Sequence, residues 1–325
     1  MLRKKFKLNE QTDPEAPEAN YHPKEFSLSQ FANEPKTQIY QNNKSNDQQQ
    51  IATSYSVPYS NLPKSDHHHE PSAASTMVPF WYEIYRLEVE LCESLKQIPL
   101  PADVAAVYNP IEYACELHQA YMQRYLDGHK PVLFLGMNPG PWGMCQTGIP
   151  FGYVPAVRDW LQLQGKVLKP IGELQARPVD GLNCTRGEQS GQRWWGLYQE
   201  LCGTPEVFFR HCFVYNICPL AFFHSSGRNI TPADLKGAPK LRMQEVCTQY
   251  LKIALDLFNP TVVVSVGRYT EDRVKALVRQ QLVDPTRVRL LCMPHPSPRS
   301  LNNTNWNEKA KLWIEENGLM PFLCG

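Results

Sequence analysis

The sequence lacks a large excess of charge of either sign, with 33 Lys and Arg residues against 32 Asp and Glu residues and a formal net charge of +1. A protein that neutralises many phosphates along a nucleic acid is usually strongly basic, so tight binding of a long nucleic-acid segment is not expected. No apolar run reaches the roughly 18 residues of a membrane span, so we expect no membrane partner. A local basic surface remains compatible with this composition.

The ten cysteines are spread singly along the chain, and no two of them form a C-x-x-C pair. Zinc and iron–sulfur sites are usually built from closely spaced cysteines, so we expect no metal and no other cofactor. Reduced thiols in an intracellular protein are the expected state. The three histidines at 67–69 are interpreted as incidental polarity rather than as a metal site.

The first 78 residues contain few large apolar side chains and include runs of Asn and Gln at 41–43 and 46–50. Such a segment cannot bury enough apolar surface to offset the loss of chain entropy on folding. We therefore expect residues 1–78 to be a disordered polar tail and residues 79–325 to form one folded domain. The basic residues at 3–7 are either a solvated charged end or a nuclear address.

Short apolar runs alternate with amphipathic segments along residues 79–325. The apolar runs predict buried strands at 132–135, 212–216, 261–266 and 289–293. Helical spacing predicts helices over 80–95, 114–126, 156–163, 194–201, 271–281 and 306–316, and a long helix that starts at Thr231 and continues to Leu257. Strands alternating with helices predict an α/β fold, a three-layer α/β/α arrangement with a central, mostly parallel four-stranded sheet.

A loop rich in glycine and proline follows the first predicted strand. Residues 136–152 contain five glycines and three prolines, a composition that continues neither a strand nor an ordinary helix. The loop lacks the Lys of a phosphate-binding P-loop and the spacing of a dinucleotide fingerprint. Open α/β sheets bind ligands where their strands end, so this loop is predicted to form a rigid pocket wall that includes Asn138.

Three segments of the chain resemble motifs of one enzyme family. Gly-Met-Asn-Pro-Gly-Pro, which begins the loop at 136–152 (the first motif), resembles the first motif of the uracil-DNA glycosylase superfamily. Within it, the loop is most similar to the single-strand-selective monofunctional uracil-DNA glycosylases. Val-Tyr-Asn-Ile-Cys-Pro-Leu at 214–220 is similar to the base-recognition segment of that family. Met-Pro-His-Pro-Ser-Pro-Arg at 293–299 is similar to its second motif, so the resemblance covers roughly residues 79–325.

The resemblance implies roles for individual residues. The catalytic residues would be His295, which donates a hydrogen bond to the departing base, and Asn138, which positions a water molecule. Asn216 would read the edge of uracil, and Phe151 would stack on the base. Taken singly, each residue also has a structural interpretation: His295 as a packed histidine, Asn138 as a turn residue, Asn216 as a strand end and Phe151 as core packing.

Further binding residues follow from the same resemblance. The backbone of Met137 and Gly140 would contact the base. Gly140 stands where other superfamily members place a Tyr, which implies open space beside carbon 5 of the base and tolerance of 5-substituted uracils. Pro296, Ser297, Pro298 and Arg299 would enter the DNA and contact its phosphates, although a proline-rich surface turn is the alternative interpretation.

The function implied is hydrolysis of the N-glycosidic bond of uracil and 5-substituted uracils, such as 5-hydroxymethyluracil, in single- and double-stranded DNA. The motifs contain no Lys to form a Schiff base, so we expect a monofunctional enzyme that leaves an abasic site. We expect a monomer that acts in the nucleus without a cofactor. The alternatives are a mismatch-type thymine/uracil-DNA glycosylase, against which His295 argues, and a non-catalytic nucleic-acid-binding module.

Overall fold

The computed structural model describes residues 78–300 and 303–324. The predicted tail, the basic residues at 3–7 and the histidines at 67–69 lie outside the described residues, so the predictions made for them are not tested. The described strands are β1 Ala106–Tyr108, β2 Val132–Gly136, β3 Cys212–Asn216, β4 Ala221–Phe223, β5 Asn229–Ile230, β6 Val262–Val266 and β7 Arg289–Met293.

The described helices are α1 Phe80–Lys96, α2 Pro110–Tyr113, α3 Cys115–Tyr125, α4 Met144–Thr147, α5 Gln189–Cys202, α6 Pro205–His211, α7 Gly237–Phe258, α8 Arg268–Arg279, α9 Trp306–Glu316 and α10 Met320–Cys324. Five of them, α1, α3, α5, α8 and α9, confirm predicted helices. No helix in the described ranges is both long and apolar enough to cross a membrane.

The central sheet has four strands in the order β3-β2-β6-β7, and all neighbouring strands are parallel. Every residue of β2, β3 and β6 is buried, which is the pattern of parallel strands covered on both faces. Register pairs Gly136 with Asn216 and Val266 with Met293, so all four strands end at one edge. The three motifs therefore start at the same edge of the sheet.

Helices cover both faces of the central sheet. On one face Phe134 of β2 contacts Trp194 of α5 edge-on, with ring centroids 5.3 Å apart. On the other face Phe213 of β3 stacks on Tyr121 of α3 at 5.0 Å and lies 5.8 Å from Phe258 of α7. Aromatic pairs at these distances add to the stability gained from burial. The predicted three-layer α/β/α arrangement is confirmed.

A second, smaller sheet was not predicted. Strands β1, β4 and β5 pair antiparallel in the order β1-β4-β5, with Val107 opposite Phe222 and Phe222 opposite Ile230. These strands are only two or three residues long, which is too short for a periodic pattern to appear in the sequence. The predicted helix at 156–163 is shortened to a π-helical turn at Ala156–Trp160.

The predicted helix start at Thr231 is wrong, because α7 begins at Gly237. The carboxylate of Asp234 accepts hydrogen bonds from the backbone N–H of Thr231 at 2.9 Å and from its hydroxyl at 2.7 Å. These local bonds close a separate turn, since Asp and Thr side chains satisfy backbone groups without a helix. Thr231 and Asp234 are compatible with either a helix start or such a turn, so the sequence alone does not distinguish the two.

Candidate active site

A cavity of about 670 Å³ opens at the edge where the central strands end. Asn138 of the first motif, Asn216 at the end of β3 and His295 after β7 all line it. Their segments are far apart in sequence, and the parallel register of the sheet brings them together. One imidazole and two carboxamides therefore surround a single cavity.

Hydrogen bonding fixes the tautomer of His295. The backbone N–H of Ser297 donates to Nδ1 of His295 at 3.0 Å, so the ring proton resides on Nε2. Burial lowers the pKa of His295 to about 4, which keeps the imidazole neutral at physiological pH. Asn303 donates to the carbonyl oxygen of His295 at 2.9 Å and holds this turn in place. The ring is thus a neutral N–H donor at the cavity wall.

The side chain of Asn138 is oriented by two backbone carbonyl groups. Its Nδ2 donates to the carbonyl oxygen of Leu220 at 3.3 Å and to that of Pro139 at 3.4 Å. With the nitrogen engaged on the protein side, Oδ1 is the atom available to accept a hydrogen bond from a water molecule. An amide does not accept a proton at neutral pH, so Asn138 can orient a water molecule but cannot act as a base.

Asn216 is buried at the end of β3, beside the paired residue Gly136 of β2. Its Nδ2 lies 3.1 Å from the sulfur of Met144, a weak acceptor. A Cβ atom placed on Gly136 would lie 2.1 Å from Oδ1 of Asn216. The amide therefore occupies space that only a glycine at position 136 leaves free, a role that sequence reasoning missed.

Phe151 combines the two roles that the sequence left open. Its ring stacks on Trp194 of α5 with centroids 4.5 Å apart and planes 15° apart. It also lines the cavity and lies 6.1 Å from the ring of His295. The backbone of Phe151 has a φ of 54°, in the left-handed region that non-glycine residues seldom adopt. The core thus supports a ring that is still available to a flat ligand.

Comparisons with known proteins agree with this geometry. A family model of the uracil DNA glycosylase superfamily matches residues 123–315, a range that contains the three motifs. The single-strand selective monofunctional uracil-DNA glycosylase of Rattus norvegicus is 47% identical over 256 residues, which cover 78% of this chain and 89% of that protein. The chain belongs to this family. The Bos taurus protein of the same name is 46% identical over 255 residues, covering 78% of this chain and 91% of that protein.

A solved structure supports the fold. The crystal structure of SMUG2 from Pedobacter heparinus superimposes with a TM-score of 0.53 at 18% sequence identity, covering 74% of this chain and all of that one. At this identity the likeness concerns architecture alone.

The family membership itself decides against the mismatch-type alternative.

One expectation about this family member is wrong: the space beside Gly140 is not open. The carboxyl group of Glu188 fills it, because a Cβ atom placed on Gly140 would lie 2.0 Å from both Glu188 oxygens. A Cβ atom on Gly143 would lie 2.8 Å from one of them. Gly140 does line the cavity, as does Met137, but the polar group at this wall is Glu188. Its segment has no motif and no periodicity, so the sequence offered no signal for it.

The residues of the second motif are partly buried and partly exposed at the cavity. Ser297, Pro298 and Arg299 line the cavity, whereas Pro296 is buried and its carbonyl oxygen accepts a hydrogen bond from Arg193 at 3.2 Å. The prediction that Pro296 enters the DNA is therefore wrong for this structure, because its ring is packed inside. Pro298 and Arg299 are exposed and in a position to meet a ligand.

Three arginines form a basic rim: Arg177 and Arg299 line the cavity, and Arg186 lies beside them against the cavity residue Trp142. The guanidinium groups of Arg177 and Arg186 lie 5.1 Å and 4.4 Å from the ring centre of Trp142, close enough for cation–π attraction. Burial, followed by repulsion from the other two arginines, lowers the pKa of Arg177. Among the described residues, no carboxylate forms an ion pair with any of the three. Uncompensated guanidinium groups at one rim favour a phosphate-bearing ligand.

A buried ion pair between His118 and Glu88 holds the end of the first motif in place. His118 of α3 has Nδ1 2.7 Å from the carbonyl oxygen of Gly148 and Nε2 2.7 Å from the carboxylate of Glu88 in α1. Both partners are acceptors, so both ring nitrogens carry protons. Burial alone would lower the pKa of His118, but the Glu88 carboxylate and the two hydrogen bonds raise it above its ordinary value. The pair ties the end of the first motif to two helices of the core.

No group of three or more His, Cys, Asp or Glu side chains within the described residues is arranged to hold a metal ion.

Proposed function

We propose that this protein excises uracil from DNA as a monofunctional glycosylase and that it also accepts 5-substituted uracils. The observation that carries this proposal is the convergence of His295, Asn138 and Asn216 on one cavity. Family membership supports the same activity, since the relatives named above are uracil-DNA glycosylases. The base enters the cavity after rotating out of the DNA, which is less costly in single strands than in a duplex.

The neutral imidazole of His295 acts on the base, and the amide oxygen of Asn138 acts on the water that attacks the sugar. When the bond between C1′ of the sugar and N1 of uracil breaks, its electron pair leaves with the base, and negative charge develops on O2. The Nε2–H group of His295 donates to that oxygen and stabilises the anion. Water oriented by Asn138 then attacks the cation-like C1′ and releases its proton to solvent.

Base recognition rests on Asn216. An amide presents an acceptor and donors side by side, which match N3–H and O4 of uracil. Cytosine offers an acceptor and an amino group on the same edge, so a fixed amide would leave buried polar groups unpaired. The contact between Nδ2 of Asn216 and the sulfur of Met144 supports this orientation of the amide.

The proposal is tested with single- and double-stranded oligonucleotides that carry one uracil, 5-hydroxymethyluracil, thymine or cytosine. We expect release of uracil and 5-hydroxymethyluracil but not of cytosine. The strand should stay intact until alkali is added, because no Lys is found among the described residues that line the cavity. Binding of uracil-containing DNA without release of base would support the non-catalytic alternative instead.

The basic rim predicts a specific dependence of DNA binding on salt. Replacing Arg186 or Arg299 with alanine should weaken binding of single-stranded DNA and reduce the slope of log K against log salt concentration by about 0.7 for each phosphate that is no longer neutralised. The matched control is Arg242→Ala, because Arg242 pairs with Glu245 at 2.7 Å on α7 and does not line the cavity. A slope that is the same in all three variants would show that the rim does not contact phosphate.

A further inference from the structure

Glu188 is the only Asp or Glu among the described residues that line the cavity. The backbone N–H of Trp142 favours the charged form of its carboxyl group. One carboxyl oxygen, Oε2, is buried and has no hydrogen-bond partner in the described structure. Buried polar atoms are nearly always paired in native proteins, so an unpaired acceptor at a cavity wall is placed to pair with a donor on a bound ligand.

The position of Glu188 relative to the base follows from the order of contacts around the wall. In uracil, C5 comes directly after C4 in the ring and lies across the ring from C2. If O2 faces His295 and the N3–O4 edge faces Asn216, the C5 edge continues past Asn216 and away from His295. Asn216 contacts Met144, the next residue is Gly143, and Gly143 packs against the Glu188 carboxyl group. The carboxyl group thus lies on the side of the cavity that C5 approaches.

We propose that Glu188 determines which substituents on C5 are accepted, by accepting a hydrogen bond at Oε2 from a donor group and by repelling an anionic group. This inference rests on the proposed function and specifies its substrate class. A hydroxymethyl group can donate to Oε2. A methyl group cannot donate and leaves Oε2 unpaired, so thymine gains none of this stabilisation. A carboxyl group would place a second negative charge beside the first.

The charge of Glu188 depends on its surroundings. Burial raises the pKa of Glu188 to about 7, so the side chain is mainly a carboxylate at pH 8. The thiol of Cys145 lies within electrostatic range; burial and the Glu188 charge raise its pKa well above the usual range, so it stays neutral. At pH 8, Glu188 therefore supplies the only negative charge from a described side chain lining this cavity.

The experiment compares kcat/KM at pH 8 for single-stranded oligonucleotides carrying uracil, 5-hydroxymethyluracil or 5-carboxyuracil. Glu188→Ala should lower the ratio for 5-hydroxymethyluracil over uracil by about ten-fold, the typical loss of a hydrogen bond to a charged group. Glu188→Gln keeps an acceptor oxygen but removes the charge, so it should raise the ratio for 5-carboxyuracil over uracil by about ten-fold. Glu308→Gln, an exposed change on α9 away from the cavity, is the control.

The outcomes separate this inference from the proposed function. Absence of uracil release by the natural protein would overturn the proposed function. Uracil release with both ratios unchanged in both Glu188 variants would overturn this inference alone. Thermal unfolding of each variant shows whether it is folded; should Glu188→Ala not fold, the 5-carboxyuracil ratio of the isosteric Glu188→Gln variant decides.

Discussion

Replacement of His295 with alanine is expected to slow excision of uracil by about 100- to 1,000-fold, the usual loss when one donor to a developing oxyanion is removed. The reason lies in the fixed tautomer. Nδ1 already accepts the N–H of Ser297, so Nε2–H is aimed without reorganisation during the reaction. The loss should appear in the chemical step under single-turnover conditions, while binding of uracil-containing DNA changes little.

The neutral state of His295 can be measured separately from the rate. Because its pKa is lowered to about 4, nitrogen-detected NMR at pH 6 should show the Nε2–H tautomer rather than an imidazolium. His211→Ala, at the end of α6 and away from the cavity, is the matched control for loss of a histidine. A charged ring at pH 6, or a loss of less than about three-fold in His295→Ala, would contradict a neutral donor mechanism.

The central sheet was predictable from sequence because each of its strands is a five-residue run rich in apolar side chains, and three of the four are wholly buried. Burial on both faces leaves polar residues mainly at the strand ends, where the motifs begin. The small sheet was not predictable, since β5 has two residues and its pairing with β4 leaves no periodic pattern. The helix start was wrongly predicted at Thr231, because a turn closed by side-chain hydrogen bonds and a helix start use the same residue types.

The site was predictable where a side chain acts from a strand end and unpredictable where it acts through a distant neighbour. Asn138, Asn216 and His295 lie at or just after strand ends, so the parallel sheet brings them together. Gly140 lies at the wall, but the carboxyl group of Glu188 that fills its space comes from an irregular segment before α5. A glycine in the sequence shows that another group can approach the backbone closely. It does not show which group does so.

Gly136 lies opposite Asn216 in the central sheet, and a larger residue at this position is expected to slow uracil excision. Gly136→Ala would place a Cβ atom 2.1 Å from Oδ1 of Asn216 and 3.3 Å from the ring of Phe151. The backbone of Gly136 is outside the left-handed region, so alanine itself is not strained there. The buried Asn216 amide must move instead. Because a displacement of about 1 Å in a positioning group can slow a reaction about 100-fold, we expect a loss of that size in uracil excision.

Gly196→Ala is the matched control for this substitution. Gly196 lies in α5, where a Cβ atom would meet no other atom within 4 Å, and alanine in a helix interior is favoured over glycine by about 1 kcal/mol. This control should retain activity and unfold at a slightly higher temperature. Gly136→Ala should instead lose discrimination between uracil and cytosine together with rate, because the displaced amide is the group that reads the base. Full activity in Gly136→Ala would mean that Asn216 moves without consequence and that another group recognises uracil.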